Sequence, residues 1–168
     1  RGIGTSTSAL AVFCESPTPK AIIEQWDGTN WTGGGAFPSL GPSSAGMCGW
    51  GDSSNALSAG GRGDPPPAGL TGAKGALNNA RQEGQSGGFG PETAATIACG
   101  GPGPIATAVE NFDGTSWTAG TNLSTARTYG MGASRNSPTQ TNGYIVGGAT
   151  GSSPSFTGAT EEYSAPGP

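Results

Sequence analysis

The sequence predicts an all-β fold assembled from repeated antiparallel units, and three observations predict it. Residues 23–32 (Ile-Glu-Gln-Trp-Asp-Gly-Thr-Asn-Trp-Thr) return 86 positions later as residues 109–118 (Val-Glu-Asn-Phe-Asp-Gly-Thr-Ser-Trp-Thr). Short apolar or small-residue runs end in glycine pairs at Gly60-Gly61, Gly100-Gly101 and Gly147-Gly148, spaced by 40 and 47 residues. An Ala-Arg dipeptide recurs at Arg81 and Arg127, 46 residues apart. The three series share one period of 40–50 residues, the mark of a repeat architecture.

Each element follows from local chemistry. Ala9-Leu10-Ala11-Val12-Phe13-Cys14 fills the slot of the apolar runs at the front of the chain, so a first inner hairpin is expected near 5–14. Further inner hairpins are expected near 45–61, 84–101 and 128–149. Val109-Glu110-Asn111-Phe112 alternates apolar and polar side chains, the period of a half-buried strand. Asp27-Gly28 and Asp113-Gly114 signal tight turns, because glycine accepts positive φ, and Trp31 and Trp117 follow in the returning strands. Glycine pairs at the ends of apolar runs suit sharp exits or close backbone approach. The stretch 62–80 contains Pro65-Pro66-Pro67, which no central strand accommodates, and it reads as a long Pro/Gly-rich loop with a degenerate strand pair. The last unit stops after its third strand, around Glu161–Tyr163. The chain is therefore expected to form one domain, 1–168, holding slightly under four four-stranded units.

The order Gly100-Gly101, Glu110-x-Phe112-Asp113, Trp117, Arg127 resembles the kelch repeat. Its Asp-Gly-Thr-x-Trp-Thr variant looks like the kelch-like repeats of bacteriophage virion proteins and environmental bacterial surface proteins. The resemblance implies four-stranded antiparallel blades of a β-propeller. It also implies structural roles for Asp27, Trp31, Gly100, Gly101, Asp113, Trp117, Arg127, Gly147 and Gly148, with the two tryptophans packed between blades. The front copy departs from the pattern by lacking the glycine pair and the arginine, and the 62–80 copy lacks the tryptophan. An unfinished last blade leaves an open edge, a template for another strand. Three completions follow: a ring closed by the N-terminal segment, part of a larger ring, or subunits completing one another head to tail as a ring or filament.

Composition narrows the function. Leu, Ile, Val and Phe number only 20 of 168 residues, whereas Gly contributes 33, Ala 22 and Pro 14. Packing must rest largely on close backbone approach, and so thin a core is expected to need neighbouring repeats, partner subunits or covalent decoration. The net charge of −4 and the scattered basic residues argue against nucleic-acid binding. No apolar run approaches a membrane span. The chain opens with neither a Met nor a basic leader, so a leader has been removed or the chain is part of something longer. The three cysteines, Cys14, Cys48 and Cys99, read as small apolar residues in strands, with a Cys14–Cys48 bridge as the alternative.

With no histidine, Ser-His and Cys-His nucleophile pairs and imidazole metal sites are excluded. Glu161 and Glu162 are adjacent, so on a strand they point to opposite faces and do not form a glycosidase pair. No catalytic residue, metal or cofactor is therefore expected. Trp50, outside the repeat tryptophan slot, is the candidate for a surface ligand site such as sugar stacking. Asn30 and Asn122 match the N-glycosylation pattern, and Arg62-Gly63-Asp64 spells an integrin-type tripeptide read as coincidence. The expectation is a non-catalytic structural or adhesive module at an extracellular or virion surface. A carbohydrate- or protein-binding propeller is the alternative, and a glycoside-active fragment comes last.

Overall fold

A computed structural model of the chain describes residues 2–13, 22–35, 48–60, 68–69, 72–79, 81, 87–100, 107–133, 142–151 and 155–164. These residues form strands and turns, with no helix among them, in four antiparallel sheets, none of which closes on itself. Sheet 1 is a meander of β1 (Gly2–Gly4), β2 (Ala9–Phe13), β3 (Ile22–Trp26) and β4 (Trp31–Gly35). Sheet 2 contains β5 (Cys48–Gly51), β6 (Ala56–Ala59), β7 (Ala68–Gly69) and β8 (Gly72–Ala73), the last two lying in the Pro-rich stretch. Sheet 3 contains β9 (Gly87–Phe89), β10 (Thr96–Ala98), β11 (Val109–Phe112) and β12 (Trp117–Ala119). Sheet 4 has three strands, β13 (Met131–Ala133), β14 (Asn142–Val146) and β15 (Thr160–Ser164).

The hairpins follow from the sequence signals. Between β3 and β4, Asp27 Oδ1 accepts the backbone N–H groups of Thr29 and Asn30, both at 2.8 Å. Between β11 and β12, Asp113 does the same for Thr115 and Ser116 at 2.8 Å. Asp52 repeats the device in the β5–β6 turn with Ser54 and Asn55. An aspartate that satisfies two loop N–H groups stabilises the turn locally. The glycine-pair signal needs one adjustment. Consecutive positive-φ residues are Gly147-Gly148 in sheet 4 but Cys99-Gly100 in sheet 3, at φ 64° and 72°. The pair in sheet 3 is thus shifted one position from the one expected, and Gly101 lies outside the described residues.

The sheets follow one another in space as in sequence: β1 packs on β5, β5 on β9, and β9 on β13 and β14. Two apolar clusters fill the last two junctions. Cys48, Trp50, Leu57 and Ala59 of sheet 2 meet Ala95, Ile97, Phe112 and Trp117 of sheet 3, with Leu77 against them. Phe89, Ala98, Cys99 and Val109 then meet Ile145, Tyr163 and Leu123 on the side of sheet 4. Few large side chains are involved, so glycines let the strands approach. A Cβ at Gly88 would lie 2.5 Å from Trp50 Cζ2, and one at Gly49 would collide with Ile3.

Candidate functional site

The chemically distinctive groups of this chain lie at the junctions between sheets. The segment leading into sheet 3 includes Leu77, Asn78, Asn79 and Arg81, and the one leading into sheet 4 includes Leu123, Ser124, Thr125 and Arg127. Arg81 Nη2 pairs with Glu110 Oε1 at 3.2 Å, both side chains fully buried. Its Nη1 donates to the carbonyls of Cys99 and Ala108. Arg127 repeats this arrangement, pairing with Glu161 and donating to the carbonyls of Gly147 and Ala159. Each glutamate also holds the segment that carries its arginine. Glu110 accepts the N–H groups of Asn78 and Asn79, and Glu161 those of Ser124 and Thr125. Each clasp therefore knits an incoming segment to the second and third strands of the sheet it enters.

The electrostatics agree with a structural task. Burial pushes the Glu161 carboxyl up, but hydrogen bonds from Ser124 and the charge of Arg127 outweigh it and hold the group below its ordinary value. The Asp113 and Asp27 carboxyls are also lowered, by hydrogen bonds from the backbone N–H groups of their own loops. Glu24, the sheet 1 counterpart of Glu110 in the repeat, is exposed and pairs with no basic residue among those described. Among the described residues no group of three or more Asp, Glu or Cys is placed to hold a metal ion, and no helix is long and apolar enough to cross a membrane.

The tryptophans require two corrections. Trp50 is not a surface residue: it is 4% exposed between sheets 2 and 3, and its Nε1 donates to the Phe89 carbonyl at 3.1 Å. Its position outside the repeat tryptophan slot marked it as a surface candidate, but β5 places the side chain over Gly88. Trp31 is not core: it is 51% exposed, whereas Trp117 in the same repeat slot is 4% exposed. Trp117 has sheet 2 in front of it, while Trp31 lies against Trp26 of its own sheet, ring centroids 5.5 Å apart.

The remaining candidates divide by position. Asn30 and Asn122 are both exposed, Asn30 in the loop that Asp27 caps. Cys48 and Cys99 are buried, and Cys14 and Arg62-Gly63-Asp64 lie outside the described residues. What the sequence reading missed was the partnership of each Ala-Arg arginine with the next glutamate of the Glu-x-aromatic series. The available signal was that each Ala-Arg dipeptide is followed by one copy of the Glu-x-aromatic series, Glu110-x-Phe112 after Arg81 and Glu161-x-Tyr163 after Arg127. No family model matches this chain, and no curated protein matches it.

Proposed function

We propose that this chain is a non-catalytic structural module, built of kelch-like propeller blades, within an extracellular or virion-surface assembly. One observation carries the reading: two successive sheets are tied to the segments that enter them by the same parts, a buried Arg–Glu clasp, and so the chain's most deeply placed charged groups hold its own repeats together. A buried ion pair used this way supplies geometric specificity more than net stability. Its carboxylates are held by arginine and backbone N–H groups and are not presented to a substrate. Imaging the native material by electron microscopy tests the reading. Copies of the chain joined in rings or fibres support it, and isolated, dispersed copies refute it.

A second reading, carbohydrate binding, is favoured by the exposed Trp31 set against half-buried Trp26, since exposed aromatic rings stack on sugars. A glycan array probed with the wild-type chain and with Trp31→Ala tests it. Selective binding lost in the variant supports this second reading.

A further inference from the structure

We infer that the outward faces of sheets 1 and 4 are two halves of one interface, so that sheet 1 of a second copy of this chain docks head to tail on sheet 4. The inference rests on the assembly reading above and names its contact surface.

Strand register identifies the two faces. In sheet 3, Phe112 pairs with Trp117, and both are buried against sheet 2. The corresponding pair in sheet 1 is Trp26 and Trp31, and it faces solvent or is only half-buried. At the other end, Ile97 pairs with Glu110, and the next pair, Ala98 with Val109, is buried beneath sheet 4. In sheet 4, Ile145 pairs with Glu161, and the next pair, Val146 with Thr160, is exposed. Met131 on the same sheet is 75% exposed. Among the described residues, the sheet 1 face that carries Trp31 and the sheet 4 face that carries Val146 and Met131 are therefore uncovered, whereas their sheet 3 counterparts are buried.

Glycines give an independent indication. A side chain at Gly49 or Gly88 would run into Ile3 or Trp50 of the preceding sheet, and one at Gly132 into the backbone of Gly88. Gly2 holds the same place in β1, paired with β2 as Gly88 is with β10, yet a Cβ there meets nothing within 4 Å. The position that receives the preceding sheet at Gly49 and Gly88 is thus open to approach at Gly2. Among the described residues sheets 1 and 4 make no contact comparable to the internal junctions, so these two faces do not cover each other. A second copy carries the missing half of each. The contact is heterologous, so repeated docking gives a ring or a filament.

The test uses two kinds of variant in the full chain. Met131→Glu with Val146→Glu blocks the sheet 4 face, and Gly2→Leu or Trp31→Glu blocks the sheet 1 face. Circular dichroism checks folding, and Gly2→Leu stands in if Trp31→Glu fails to fold. In sedimentation velocity, the wild-type mass is expected to rise with concentration and each blocked variant to stay monomeric. An equimolar mixture of one variant of each kind is expected to reach twice the monomer mass, because one open face of each kind remains. Variants that assemble like wild type, or a mixture that stays monomeric, overturn the interface and leave the assembly reading intact. A wild-type chain that remains monomeric throughout overturns both. Oligosaccharide binding at Trp31 by a purely monomeric chain overturns the interface in favour of the sugar-binding reading.

Discussion

Arg81 and Glu110 lie wholly out of water, and their value depends on both being present. Removing one partner leaves a desolvated charge, whereas replacing both with apolar residues of similar volume leaves a packed core. Glu110→Gln or Arg81→Met is therefore expected to cost about 3–5 kcal/mol in urea unfolding. Arg81→Met with Glu110→Leu together is expected to cost less than the sum of the two but not to recover fully, because the Cys99 and Ala108 carbonyls and the Asn78 and Asn79 N–H groups lose their partners. A pair of losses that simply add would contradict this picture. Glu161 makes a pH prediction. Its carboxyl is lowered in the folded chain from an ordinary value of 4.5. Its contribution is thus fully present above that ordinary value and disappears as pH falls through the lowered one. Asp27 and Asp113 act in the same direction, so Glu161→Gln is expected to make the acid-side decline in stability shallower without abolishing it. Thermal unfolding followed from pH 6 downward would reveal an unchanged decline if this were wrong.

At the scale of the elements, the inner strands β1, β5, β9 and β13 pack through glycine. In the series Gly2, Gly49, Gly88 and Gly132, the last three place a residue without a side chain where the preceding sheet approaches closely, which is how a chain with so few large apolar residues still excludes water. The consequences differ along the series. Gly132→Ala would press on the Gly88 backbone, which cannot turn aside, and is expected to destabilise by about 2 kcal/mol or more. Gly2→Ala meets open space and is expected to change monomer stability by less than about 0.5 kcal/mol. Trp50→Ala empties the slot over Gly88 and is expected to cost about 3–5 kcal/mol. Denaturant midpoints of the three variants, compared in one buffer, check the order. Gly2→Ala as damaging as Gly132→Ala would contradict the close-approach role.

At the scale of the molecule, four sheets in succession give a stack with two unlike ends. Internal junctions bury the Trp117 and Phe89 positions, and the ends leave Trp31, Met131 and Val146 in solvent. Any partner that binds only the folded chain raises its apparent stability by mass action. The melting temperature of the wild-type chain is accordingly expected to climb with protein concentration, and that of Met131→Glu with Val146→Glu to stay level. Differential scanning calorimetry over a hundredfold concentration range separates the two behaviours.

The inner hairpins, the Asp27 and Asp113 loops, the degenerate pair in the Pro-rich stretch and the three-stranded last sheet were legible in the sequence. Each depends on neighbours in the chain: alternation along a strand, an aspartate two or three residues before the N–H groups it accepts, a proline that cannot pair. The exposure of Trp31, the burial of Trp50 and the pairing of Arg81 with Glu110 were not legible. The same tryptophan slot is core when a sheet lies in front of it and surface when none does. A flanking glycine marks a loop or a seat for a neighbour's side chain, depending on what arrives there. Local order sets which strands form, and the stacking of one sheet on the next decides which of their faces meet water.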